Sequence, residues 1–282
     1  MDTSFFRPPS NLEYPPGNRK IFEEFFLENY NPEKIKTERK YIPVLWTNYY
    51  IKNNFGSDSG QLQDYLNSLD KNSKYFTIVQ YDDNILEDLE NLDILIFSQG
   101  GFGKNAKKCY PIPLNCEINP DDNLKKNISS KDIFASFIGK IEGRHRIREK
   151  IRDTLTGNNY RISEPTSYPD FLDVLSRSKF SLCPRGYGQT SFRIHEALSL
   201  GSIPVYIYDK PHIPFPDHFN FSEIGICIGE DKISEIDNIL TSISDEDIIK
   251  KMEAGNVIFK KFFEYSGCFK KIIEILENEK RF

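Results

Sequence analysis

Arg185, Arg193 and Glu196 fall within twelve residues of one another, in a stretch that also holds Gly186, Tyr187 and Gly188. A guanidinium is a fixed positive charge with a planar fork of donors. The two glycines bracket Tyr187 with so little bulk that backbone N–H groups there could approach a ligand closely. Thr190 or Ser191 can cap a helix beginning at Phe192, and a helix N-terminus carries partial positive charge. Together these groups suit an anion, and a diphosphate in particular, or else form a structural arginine pair beside a buried strand and helix N-terminus. A second basic group, Arg144, Arg146, Arg148 and Arg152, follows Gly139 and Gly143. It reads either as a further arm of that anion site or as a solvated helix face. Asp82 and Asp83 are adjacent carboxylates, each able to serve as a general base or simply to cap a helix starting near Ile85. Asn48 and Tyr49 could hydrogen-bond and stack on a sugar or belong to a buried aromatic cluster. Gly100 and Gly101 could line a wall for a second substrate.

The surrounding elements place these groups at strand ends. Phe180–Cys183 is an apolar run halted by Pro184, and Ile203–Tyr208 is a second run after a helix with apolar Phe192, Ala197 and Leu198. Strand, loop, helix and strand in that order imply a parallel crossover, with the loop at the carboxyl edge of the sheet, where ligands bind. Earlier, the pattern predicts a helix after Asn18, a strand over Tyr41–Thr47, a helix from Leu62, and strands over Tyr75–Gln80 and Asp93–Ser98. The polar run Asp121–Ser130 predicts a domain boundary. Beyond it come a strand at Ile133–Ile138, a helix through Arg148, a short strand at Tyr160, a helix from Tyr168, a strand at Ile224–Ile228 and closing helices. The glycines after Ser98 do not begin a dinucleotide-binding helix, because Pro111 and Pro113 interrupt within ten residues. Asp245, Glu246 and Asp247 follow Ser244 and read as first-turn acids rather than a metal site.

Composition narrows the classes. With 38% hydrophobic and 13% aromatic residues the chain can build a substantial core, and a formal charge of −5 leaves no basic footprint for nucleic acid. Five cysteines without a C-x-x-C pair and four histidines without zinc spacing predict free thiols and no structural metal. No stretch approaches the ~20 apolar residues of a membrane span. The expectation is a cytoplasmic protein without a signal peptide or anchor.

Cys183, Pro184, Arg185, Gly186, Ser191, Phe192, Arg193, Glu196, Ala197, Leu198, Gly201, Ile203, Pro204 and Val205 stand in the order of the sugar-nucleotide signature of the exostosin glycosyltransferases, which the segment closely resembles. Phe137, Ile138 and Gly139, followed by Ile147, Arg148 and Ile151, resemble the family's second donor motif. The resemblance implies an α/β fold of the GT-B kind, two Rossmann-like domains facing across a cleft. Residues 1–128 would bind the acceptor, 129–262 the nucleotide sugar, and 263–282 would form a helix packing back on the first domain. It implies an inverting transferase that moves a sugar from a UDP-sugar to a glycan hydroxyl through a beta-type linkage. No metal or other cofactor is then required beyond the UDP-sugar co-substrate. Gly139, Arg146, Arg148, Pro184, Arg185, Gly186, Tyr187, Ser191, Phe192, Arg193 and Glu196 would bind the donor. Arg148, Arg185 and Arg193 would take the diphosphate and Glu196 the ribose hydroxyls. The base would come from Asp82 or Asp83, and the acceptor would meet Asn48, Tyr49, Gly100 and Gly101. Without an anchor, a viral or bacterial member acting on a cytosolic glycan is implied. An inactive nucleotide-sugar-binding partner subunit and a carbohydrate-binding module are the alternatives.

Overall fold

Two parallel sheets, each with its own apolar core, carry the strands. The computed structural model describes residues 4–8, 20–58, 60–116, 127–143, 145–157 and 159–279. The chain divides into two compact units, Met1–Glu117 with Glu264–Phe282, and Ile118–Phe263. The α/β class expected from the alternating pattern is the one observed. Much of the polar run after Asp121, and Arg144, lie outside the described residues. Among the described residues no helix is long and apolar enough to cross a membrane.

In the first unit, β1 (Arg39–Tyr41), β2 (Lys74–Val79), β3 (Asp93–Ser98) and β4 (Cys109–Pro111) pair in sequence order, all parallel. Helix α1 (Phe22–Asn29) buries Phe22 and Phe26. Helix α9 (Tyr265–Asn278) joins this unit from the far end of the chain: Phe269 lies 5.0 Å from Phe26, ring to ring, and the Tyr265 hydroxyl donates to Lys20 O at 2.7 Å. Arg39 Nε donates to both Glu279 oxygens at 2.9 and 2.8 Å, fastening the chain just beyond α9 to β1. Helix α3 (Gly60–Asn67) buries Leu62, Tyr65 and Leu66.

Two local expectations fail here. The strand predicted over Tyr41–Thr47 stops at Tyr41, and Trp46–Lys52 is a helix, α2. Its β-branched and aromatic residues favour a strand, but the Glu23 carboxylate on α1 accepts from Thr47 N at 3.1 Å and from the Thr47 hydroxyl at 2.8 Å. An acid at that point satisfies orphan donors of a helix start and complements its dipole. No helix begins near Ile85, so neither Asp82 nor Asp83 caps one; residues 85–92 run as turns and irregular chain. There the Tyr50 hydroxyl accepts from Leu86 N at 3.0 Å and donates to buried Glu87, so side-chain partners take up groups a helix would have used.

The second unit contains β5 (Ile133–Ile138), β6 (Tyr160–Ser163), β7 (Ser178–Pro184), β8 (Ile203–Tyr208) and β9 (Ile226–Gly229), all parallel in the order β6-β5-β7-β8-β9. The crossovers are α4 (Ile147–Thr154), α5 (Tyr168–Arg177) and α6 (Phe192–Ser199). From β5 the chain winds outward to β6, then returns to the other side of β5 for β7. The loops after β5 and β7 therefore diverge, and the crevice between them is where open α/β sheets take ligands. The first unit's sheet has no such reversal among the described residues. Helices α7 (Ile236–Thr241) and α8 (Asp245–Ile258) complete the unit; Asp245, Glu246 and Asp247 stand in the first turn of α8, as read from the sequence, and Ser244 caps it by accepting from Asp247 N at 3.1 Å. A π-helical turn at Phe259–Phe263 separates α8 from α9.

Candidate functional site

The crevice between the ends of β5 and β7 is built around the ring of Phe137. The Arg193 guanidinium lies 4.5 Å from its centroid and that of Arg148 5.7 Å. Arg193, in the first turn of α6, also stands 5.5 Å from the Phe171 ring and donates through Nη2 to Ile138 O at the end of β5. Its Nε is buried without a hydrogen-bond partner. Arg148, in the first turn of α4, donates through Nη1 to Lys140 O at 2.9 Å. No carboxylate among the described residues pairs with it. Burial holds the pKa of each guanidinium below the ordinary arginine value, and the positive charge of Arg193 lowers that of Arg148 further. Glu196 opposes the shift on Arg193 from one helical turn away. Two half-buried cations that repel each other across one aromatic ring, beside the capped N-terminus of α6, form a site that an anion would relieve.

Gly139 makes this arrangement possible. A Cβ there would sit 2.9 Å from Arg193 Nη2 and 3.5 Å from Phe137 Cζ, so the guanidinium could not reach the Ile138 carbonyl as it does. Ser191 is the N-cap of α6, its hydroxyl accepting from Arg193 N at 3.3 Å, and Phe192 opens the helix. Pro184 ends β7 opposite Ile207. Next to Arg148 is a small open pocket of about 60 Å³ whose lining includes Lys140, Glu142, His145, Arg146, Arg185, Gly186 and Tyr187. Tyr187 is 70% exposed at this lining, and His145 Nε2 is buried there without a hydrogen-bond partner.

Other predicted residues stand differently. The Arg185 guanidinium turns into the protein: Nη1 donates to both Asp209 oxygens at 2.5 and 2.7 Å, Nε to Gly188 O at 2.9 Å and Nη2 to Tyr187 O at 2.8 Å. Gly186 N is likewise spent, donating to Thr190 O at 2.9 Å. The loop was expected to point its charge and amides outward, but a buried fork of donors is satisfied by the carbonyls of its own turn. Arg146 occupies the N-cap position of α4 with φ +53°, is largely exposed, and pairs with Glu149 at 2.9 Å.

In the first unit, Asn48 and Tyr49 are not at a strand end open to a sugar. Both lie in α2, where Asn48 Nδ2 donates to Glu24 at 2.8 Å and Tyr49 is 1% exposed, edge-on to Phe6 at 5.6 Å. Gly100 and Gly101 are buried too. A Cβ on Gly100 would meet Gln80 O and Tyr81 O at 2.7 Å, and Gly101 O accepts from Asn84 Nδ2 at 2.8 Å. These glycines join the loops after β2 and β3 rather than forming an exposed wall. Asp82 and Asp83 occupy the turn just past β2, Asp82 half-buried and Asp83 exposed. Sequence reasoning missed Phe137 as a platform for two guanidiniums and Asp209 as the partner of Arg185. The register of β7 on β8 is the signal for the second, because Pro184 opposite Ile207 brings the residues just past both strands together.

The family model for the Exostosin GT47 domain matches residues 72–243. A probable glucuronosyltransferase of Oryza sativa subsp. japonica is 39% identical over 95 residues, which are 33% of this chain and 22% of that protein. A probable beta-1,4-xylosyltransferase of Arabidopsis thaliana is 39% identical over 95 residues, 33% of this chain and 23% of its own. The chain thus spans less than a quarter of the length of either relative in these matches. Among solved structures, an alpha-glucosyltransferase in complex with UDP-glucose and DNA containing an abasic site aligns with TM-score 0.44 and 14% identity, over 78% of this chain and 76% of that one.

Proposed function

Because the chain belongs to the exostosin GT47 family, we propose that it is a glycosyltransferase that transfers a sugar from a UDP-sugar to a hydroxyl of a glycan acceptor, with inversion at the anomeric carbon. The observation that carries this reading is the pair Arg148 and Arg193 on the Phe137 ring, with no carboxylate paired to Arg148 among the described residues. As the bond from the anomeric carbon to the diphosphate breaks, negative charge grows on the leaving UDP. Two guanidiniums and the N-terminus of α6 are fixed in place before that charge appears, and so stabilise it without reorganisation. Glu196, near Arg193 on α6, takes the ribose hydroxyls. The acceptor proton goes to a carboxylate, Asp82 or Asp83.

Calorimetric titration of UDP and of uridine tests the donor site. Arg148→Ala should weaken UDP at least about tenfold, as loss of a charged hydrogen bond of about 1.5–3 kcal/mol requires, and leave uridine nearly unchanged. Equal UDP affinity in wild type and variant would refute the assignment. UDP binding without transfer to any glycan would instead favour a nucleotide-sugar-binding partner subunit.

A further inference from the structure

We infer that Asp209 is a positioning residue for the donor pocket, acting through Arg185, and that Arg185 is a strut of the loop rather than a ligand of the diphosphate; this rests on the donor-site reading above. Asp209 directly follows β8; both of its carboxylate oxygens accept from one guanidinium nitrogen of Arg185, and Oδ1 also accepts from Lys210 N at 2.7 Å. Arg185 is only 7% exposed. Its other nitrogens hold the carbonyls of Tyr187 and Gly188, and its backbone N–H donates to Ile207 O at 2.9 Å. The same loop is fastened again where the Tyr206 hydroxyl donates to Gln189 O. Strand β8 thus grips the turn 185–190 from beneath at both ends. That turn forms one side of the pocket beside Arg148: the Cβ position of Gly186 is 3.7 Å from Arg148 Nη2. Burial pulls the Asp209 carboxyl up, but the hydrogen bonds and charge of Arg185 more than offset this and hold it below the usual carboxylate range. The Asp209 carboxylate therefore stands as the counter-charge of Arg185, whose charge is neutralised locally instead of being offered to a ligand.

The two roles for Arg185 predict opposite signs. Removing Asp209 from a phosphate-binding arginine would free a positive charge, and UDP would bind as well or better. Removing it from a strut loosens the pocket side, and UDP binds worse. UDP affinity of wild type, Asp209→Ala, Arg185→Ala and the double variant should therefore be measured. Expected are losses of about tenfold in each single variant and a double variant no weaker than about threefold beyond either, since partners in one network are not additive. Asp209→Glu, which keeps the carboxylate, should recover most of the loss. An Asp209→Ala chain that binds UDP at wild-type strength or tighter, while Arg185→Ala does not, overturns the inference. Should Asp209→Ala fail to fold, Asp209→Asn takes its place. Amide exchange across residues 185–190 supplies a readout independent of ligand. It should rise in the Asp209 variant while β7 stays protected, and unchanged exchange there overturns the strut. A wild-type chain with no affinity for UDP would sink the donor-site reading, and the exchange result would then decide the role of Asp209 alone.

Discussion

Glu23 should make the first unit less stable as pH rises toward neutrality. Its carboxylate is completely buried, with no cation paired to it among the described residues; its partners are the backbone N–H groups of Thr47 and Gln80 and the Thr47 hydroxyl. Burial raises its pKa more than those hydrogen bonds lower it, and the nearby charge of Glu24 adds to the rise, so the folded value is about 7 against an ordinary 4.5. A carboxyl that holds its proton more tightly when folded lets the native state take up a proton between these limits. The sign follows: stability is greatest below the unfolded value, falls as pH climbs through the folded one, and levels off above it. A gap of about 2.5 pH units at about 1.4 kcal/mol each gives about 3 kcal/mol, an order-of-magnitude figure. Glu23→Gln keeps the side-chain shape and removes the titration. The chain has one tryptophan, Trp46, buried next to Thr47 in α2 and bonded to Thr77 Oγ1 at 2.8 Å, so its fluorescence reports unfolding of this unit alone. Urea unfolding of both proteins followed through Trp46 from pH 4.5 to 8 should show the wild type losing about 3 kcal/mol relative to the variant. A difference that stays flat, or that grows in favour of the wild type, would mean that the hydrogen bonds outweigh burial and the reasoning fails.

Gly139→Ala should displace the Arg193 guanidinium, whose Nη2 would lie 2.9 Å from the new methyl group. Overpacking of this kind costs about 1–3 kcal/mol, and UDP affinity should fall with it; wild-type stability and affinity in the variant would contradict the crowding. Gly100→Ala brings a methyl group to 2.8 Å or less from three backbone atoms of residues 80–82, which cannot swing aside as a side-chain tip can. Unfolding reported by Trp46 should come at least about 1–3 kcal/mol easier, and an unchanged urea midpoint would show that the loops after β2 and β3 are not packed as described.

The crossover β7–α6–β8 was legible because its signals act over a few residues: apolar runs set the strands, Pro184 ends the first, and Ser191 caps the helix with its own hydroxyl. The strands β2, β3 and β5 were legible for the same reason. The order of family residues along this stretch identified the chain's family before any contact was known. Tertiary structure decided which of those residues can face a ligand. Arg185 and Arg193 look alike in sequence, yet one is consumed by Asp209, twenty-four residues away, and the other lies against Phe137 from a neighbouring strand. It likewise decided that Trp46–Lys52 is a helix, since the acid at its start arrives from α1. A charge or an orphan N–H is satisfied by whatever the strand order and helix packing bring within about 3 Å, and those neighbours are not written in the local pattern.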